Sequence, residues 1–182
     1  MKFFIASDIH GSAYYCRMML EAFEREKADR LMLLGDILYH GPRNDLPREY
    51  APKNVISMLN PLRNRIFCVR GNCDTEVDQM VLDFPLLADY GVLEISGRII
   101  YATHGHIYNE DRLPPLCSGD VLLHGHTHIP VCSEHKSYVY INPGSVSIPK
   151  QESPHSYMTL EDGIFIWKNL ENGETYKTYS LK

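Results

Sequence analysis

Phe3-Phe4-Ile5-Ala6-Ser7-Asp8-Ile9-His10-Gly11 opens with a short apolar run that stops abruptly in a polar turn. A run of this length bounded by turn residues reads as a buried strand. Its carboxyl end carries Asp8 and His10. The same arrangement returns along the chain, at 31–34 into Gly35-Asp36 and at 66–69 into Arg70-Gly71-Asn72-Cys73-Asp74. It returns again at 99–102 into Thr103-His104-Gly105-His106, and at 121–123 into His124-Gly125-His126-Thr127-His128. Each strand would deliver a metal-capable side chain at its C-terminal end, the edge where layered α/β sheets bind ligands.

Working outward, Ser12 is placed to cap a helix in which Tyr15, Met18, Met19, Ala22 and Phe23 follow a three-four spacing. Residues 52–62 make a second helix, with Pro52 in its first turn and Val55, Ile56 and Leu59 as its buried stripe. Past Tyr90 the helical signal fades, and residues 92–95, 99–102, 138–141, 157–160, 164–167 and 175–179 read as strands. Ser96-Gly97, Asp162-Gly163 and Asn172-Gly173 are hairpin turns. An αβ half followed by a β-rich half predicts two sheets packed face to face with helices outside. No linker or repeat interrupts the chain, so residues 1–182 are expected to form one domain.

Composition narrows the partners. Hydrophobic residues make up 44% and charged residues 23% of the chain, the proportions of a soluble globular protein. The net charge of -5 comes with no basic stripe, which argues against a nucleic-acid-binding surface. No apolar stretch reaches the length of a membrane span. The apolar start breaks at Ser7-Asp8, too early for a signal peptide. The five cysteines are scattered without a CxxC pair, so neither a disulfide framework nor a zinc knuckle is expected. The expected location is the cytoplasm.

Taken together, the strand ends offer Asp8, His10, Asp36, Asn72, His104, His126 and His128. Any one alone is more simply a satisfied core histidine or a turn aspartate. Asp8-x-His10 and His126-x-His128 are more pointed, because residues two apart in extended backbone share a face and each pair can grip one ion. With no cysteine among them, the set describes nitrogen and oxygen ligation of hard-to-borderline metals. Asp36 is the natural bridge, since a carboxylate can bind one ion through each oxygen.

The order Asp8-x-His10, Gly35-Asp36, Gly71-Asn72-x-Asp74, His104 and Gly125-His126-x-His128 resembles the calcineurin-like metallophosphoesterases. His40-Gly41-Pro42-Arg43-Asn44, Arg70-Gly71-Asn72-Cys73-Asp74 and Asn142-Pro143-Gly144-Ser145 are similar to segments of the small bacterial YfcE-like phosphodiesterases. The resemblance implies a four-layer αββα sandwich of two mixed β-sheets flanked by helices, with a dinuclear metal site at a sheet edge. It implies Asp8, His10, Asp36 and His128 around one divalent ion, and Asp36, Asn72, His104 and His126 around another. Mn2+ is the first expectation for both, with Fe2+, Ni2+ and Zn2+ as alternatives. The implied activity is hydrolysis of a small phosphodiester by in-line attack of a hydroxide shared by the ions, which leaves no side chain as a certain catalytic group. A broad phosphomonoesterase is the alternative, and a protein-interaction scaffold like the retromer subunit of this fold is a weaker one. A homo-oligomer is compatible with either enzyme reading.

Two positions depart from the pattern. Cys73 stands where many relatives carry a histidine beside the leaving group, and Tyr39 where many carry Asp or Asn to support the bridging carboxylate. Cys73, Asp74, His106 and Arg43 are the candidates for touching substrate or supporting the ligands. For two of them there is a plainer role: a small buried filler for Cys73, a solvated loop cation for Arg43. His124 reads as structural, His135 and His155 as surface residues, and Tyr14, Tyr15 and Tyr108 as lining the mouth or simply packing. Asn142 reads as shaping the loop before Gly144.

Overall fold

The computed structural model describes residues 1–181. Its elements, in chain order, are β1 (Phe3–Ala6), α1 (Ala13–Arg25), β2 (Arg30–Leu33), α2 (Pro52–Leu59), β3 (Ile66–Cys68) and α3 (Glu76–Gln79). Then follow β4 (Tyr90–Ile95), β5 (Arg98–Thr103), β6 (Asp120–His124), β7 (Pro130–Glu134), β8 (Tyr138–Pro143), β9 (Ser156–Glu161), β10 (Ile164–Asn169) and β11 (Thr175–Ser180). They form a six-stranded sheet ordered β11-β10-β9-β1-β2-β3 and a five-stranded sheet ordered β4-β5-β6-β8-β7. Both are mixed: β1, β2 and β3 run parallel in the first, and β5, β6 and β8 in the second.

Alternation along the strands divides the core. Phe3, Ile5 and Met32 point between the sheets, where they meet Ile100, Val121, Leu123, Ile141 and Trp167. Phe4, Leu31 and Leu33 point the other way, onto Cys16, Met19 and Phe23 of α1 and Val55 and Leu59 of α2. The helices therefore cover the six-stranded sheet. On the outer face of the five-stranded sheet, Leu122, Tyr138 and Tyr140 pack with Leu116 and Val131. Leu116 comes from the irregular segment 104–119, and no described residue past Gln79 lies in an α-helix.

The expected elements recur with local differences. Ser12 caps α1, accepting a hydrogen bond from the Tyr15 amide at 3.2 Å. The second helix leaves α-geometry after Leu59 and continues as a 3-10 helix over Asn60–Arg65. Pro61 lacks the amide hydrogen that an α-helix would use there. Strand β7 and the one-turn helix α3 were not expected. Strand β7 is a half-buried edge without alternation, and α3 is too short to show a period.

Candidate metal centre

The parallel strands of both sheets end at one edge, and the loops leaving them converge. β1 leads to Asp8 and His10, β2 to Asp36, β3 to Asn72, β5 to His104, and β6 to His126 and His128. Two glycines let the β2 and β3 loops touch. A Cβ on Gly35 would lie 2.5 Å from the Gly71 nitrogen, and one on Gly71 would collide with the Asp36 carboxylate.

The backbone at the site is not the extended chain that alternate spacing suggested. Asp8, His10, Asp36, His126 and His128 all have φ between 50° and 65°, in the left-handed region. Residues other than glycine take that conformation only where the surroundings hold them there. Here the Asp8 amide donates to Gly35 O at 3.1 Å, the His10 amide to Asp36 O at 2.9 Å, and the His126 amide to Asp8 Oδ2 at 3.1 Å. His126 and His128 consequently face different partners. His128 Nε2 lies 3.2 Å from both His10 Nε2 and Asp8 Oδ1. His126 Nδ1 lies 3.1 Å from His104 Nε2, which is itself 3.1 Å from Asn72 Oδ1.

The ring orientations decide what these groups can do. Nδ1 of His10 contacts Tyr39 O at 2.8 Å, and Nδ1 of His104 and His128 contact Leu34 O and Ile148 O at 2.6 Å. A carbonyl only accepts, so each Nδ1 carries the hydrogen. In the neutral ring Nε2 is then a bare lone pair aimed inward. Two such lone pairs face each other between His10 and His128, and the buried Asp8 Oδ1 accepts no hydrogen bond. Lone pairs and carboxylate oxygens gathered without donors fit a cation.

Asp36 lies between the two groups. Its Oδ1 accepts the Cys73 amide at 2.9 Å, while Oδ2 is 3.6 Å from His10 Nε2 and 3.5 Å from His104 Nε2. A single oxygen thus faces both sides, where one oxygen for each ion was expected. Burial disfavours the charged carboxylates, yet with no ion bound the protonated forms of the His10 and His128 rings would hold the Asp8 pKa well below its usual range. For His104, burial is outweighed by Asp36 and Asp8, which carry its pKa up to about 9. His126 is pushed down to about 4 by burial and by the neighbouring His104. Divalent ions compete with protons for such donors, so binding would release protons.

The remaining candidates separate by what they touch. Asp74 is buried, and its carboxylate accepts the amides of Asp36, Ile37 and Gly71 at 2.7–2.9 Å, tying the β2 and β3 loops together. Cys73 and Arg43 line a cavity of about 410 Å³ with His10, Asp36, His126 and Lys150. His106 is half-buried beside His104, with ring centres 5.4 Å apart, and does not line that cavity. Tyr39 offers its carbonyl to His10 rather than its hydroxyl to the site, and its ring packs on His40. Asn142 donates to Gly125 O at 2.8 Å and to Thr127, bracing the loop that carries His126 and His128. His124 is buried against Tyr140, and His135 pairs with Glu110 at the surface. His155 is half-buried, stacked on Tyr15 at 4.0 Å, so it packs where an exposed ring was expected. Tyr14, Tyr15 and Tyr108 do not line the cavity, whereas Lys150, absent from the sequence reading, does.

The sequence model of the calcineurin-like phosphoesterase superfamily domain matches residues 1–162. Phosphodiesterase YfcE of Escherichia coli K12 is 46% identical over 164 residues, spanning 90% of this chain and 89% of its own. A solved structure of YfcE, described as a phosphoesterase from E. coli, superposes with a TM-score of 0.96 at 42% identity, covering 100% of both chains. Vacuolar Protein Sorting 29 from Cryptosporidium parvum, at 18% identity and a TM-score of 0.62, shares the fold over 98% of this chain and 97% of its own.

Proposed function

Because the chain belongs to the calcineurin-like phosphoesterase superfamily, we propose that its paired donor clusters make it a metal-dependent phosphodiesterase. The observation that carries this reading is the inward Nε2 lone pairs of His10, His104 and His128, each fixed by a carbonyl at Nδ1 and each close to a carboxylate. In this assignment Asp8, His10, Asp36 and His128 hold one divalent ion, and Asp36, Asn72, His104 and His126 hold the other. Two such ions supply Lewis acidity to the phosphoryl oxygens and lower the pKa of water. Mn2+ suits the mixed nitrogen and oxygen set, as do Fe2+, Ni2+ and Zn2+.

The chain's own residues do the rest. Carbonyls of Tyr39, Leu34 and Ile148 keep three imidazoles in the liganding tautomer through the reaction. Asp74 fixes Asp36 and Gly71 relative to each other, and so the spacing of the two donor groups. Cys73 borders the cavity as a neutral thiol, its pKa raised by burial and by Asp36, and supplies no positive charge. Without a cationic donor at that one position, a monoanionic diester needs less neutralisation there than a dianionic monoester. We take residues 1–182 as one domain, a reading supported by β9, which pairs with β1 and so builds the C-terminal strands into the first sheet. No helix among the described residues is long and apolar enough to cross a membrane. The free cysteines suit a reducing cytoplasm.

The test is metal content set against turnover. Protein loaded with Mn2+ should carry close to two ions per chain and hydrolyse an aryl diester. Asp36→Asn should lower turnover by at least about a hundredfold, because it weakens both ion sites together. Undiminished activity after exhaustive chelation would sink the assignment.

A further inference from the structure

The cavity over the donor clusters carries more positive charge than a simple diester calls for. Arg43 and Lys150 both line it, from separate loops. Arg43 sits in the turn Gly41–Asn44, held by Asn44 Nδ2 donating to His40 O at 2.8 Å. That turn passes close to Cys73, since a Cβ on Gly41 would lie 3.2 Å from the Cys73 sulfur. The Lys150 amide donates to His128 O at 3.2 Å, and its carbonyl accepts the Ser153 hydroxyl at 2.6 Å. Each loop is therefore anchored beside a donor cluster, and each presents a long cation to the same space.

Among the described residues neither side chain has a hydrogen-bond or ion-pair partner. Lys2, Arg17, Arg63, Arg65, Arg70 and Lys168 each meet a carboxylate, and Lys27, Lys53 and Lys136, which likewise have no such partner, lie away from the cavity. Among the described residues, the only carboxylate on the cavity wall is Asp36, which lies within the donor cluster. Two dications set against Asp8 and Asp36 leave about +2. The nucleophile and a monoanionic diester neutralise that between them, so Arg43 and Lys150 remain unmatched.

We propose that Arg43 and Lys150 form an anion subsite for the alcohol portion of the substrate. The preferred diester then carries a further phosphate or carboxylate group on one of its esterifying alcohols. This inference rests on the phosphodiesterase reading above. The arginine fork suits two-point contact with a planar or tetrahedral anion, and the lysine adds a mobile point charge. Both cations are exposed, so the preference weakens as salt rises.

The experiment uses Mn2+-loaded protein and Arg43→Gln, Lys150→Gln and the double variant. Calorimetry compares binding of methylphosphonate with carboxyethylphosphonate, which adds one anionic arm. Kinetics compare nitrophenyl methyl phosphate with nitrophenyl carboxyethyl phosphate, which share a leaving group. The anionic arm should gain about tenfold in affinity and in kcat/KM, the scale of one charge-assisted contact, and the double variant should lose that ratio. Equal binding of the two phosphonates by the unmodified protein would overturn the subsite, as would a ratio that survives in the double variant. Equal losses for both esters would show that the cations serve the reacting phosphoryl group, and would overturn it too. If neither ester is turned over with any metal, the phosphodiesterase reading fails, while the phosphonate ratio still reports on the subsite.

Discussion

Cys73 shows how one side chain can set substrate preference. Its amide holds Asp36 Oδ1, its sulfur accepts a hydrogen bond from Asn72 at 3.2 Å, and burial with the nearby carboxylates keeps it a thiol. A thiol donates weakly and carries no positive charge. Aryl diesters, which need neither extra charge neutralisation nor a proton on departure, should therefore outrank aryl monoesters and alkyl or cyclic diesters. Cys73→His should raise kcat/KM for the slower substrates by about tenfold and narrow the gap. The gain should fall short of a fully oriented acid, because the Asp74 carboxylate is already committed to three amides. Matched aryl mono- and diesters in both proteins test this, and an unchanged ratio would remove Cys73 from the specificity argument. At this scale the sequence was informative only where several glycine-marked strand ends were read together, since Asp, Asn or His beside any one of them is more simply a turn or core residue. Lys150 follows no such mark and reaches the cavity only through the fold. The left-handed backbone of Asp8, His10 and His128 was likewise hidden, because residue type alone does not announce that conformation.

The elements matter here through their ends. β2 and β3 pair in parallel from Leu31 opposite Ile66 to Leu33 opposite Cys68, and their loops then close to contact at Gly35 and Gly71. Gly71→Ala would drive a Cβ into the Asp36 carboxylate and amide. The loops must separate to relieve it, at a cost of about 1–3 kcal/mol, and that moves Asp36 away from its facing donors. The expected result is a folded protein whose melting temperature no longer rises when Mn2+ is added. A thermal scan with and without Mn2+ decides, and a metal-dependent rise equal to that of the unmodified protein would refute it. Strand existence and order of use were legible because buried parallel strands are short, apolar and sharply ended. The packing on Leu122, Tyr138 and Tyr140 was not, because Leu116, which meets them, lies in a segment without a repeating pattern. The end of α2 could have been read from Pro61.

For the molecule as a whole, one half-buried cluster fastens α1 to the six-stranded sheet. Glu26 accepts hydrogen bonds from Lys168 at 2.6 Å and from Lys2 and Tyr157 at 2.9 Å. Burial opposes its charge, but these donors prevail and lower its pKa from 4.5 to about 2. A depressed carboxylate contributes stability above its unfolded pKa, and that contribution fades as pH falls from 4.5 toward about 2. Glu26→Gln should therefore lose about 1–2 kcal/mol near neutrality, after allowance for partial solvent screening, and progressively less below pH 4.5. Urea midpoints at neutral pH and at pH 3 check this, and a gap independent of pH would exclude the mechanism. The donor clusters have a wider consequence. Asp8, His10, Asp36 and Asn72 leave strands of one sheet, and His104, His126 and His128 leave strands of the other. Each ion in the proposed assignment would draw on both, so its coordination distances act as a caliper across the apolar layer of Ile5, Leu123, Ile141 and Trp167. A change in that layer's thickness would reach the reaction as an altered bite on the ions, with every ligand still in place.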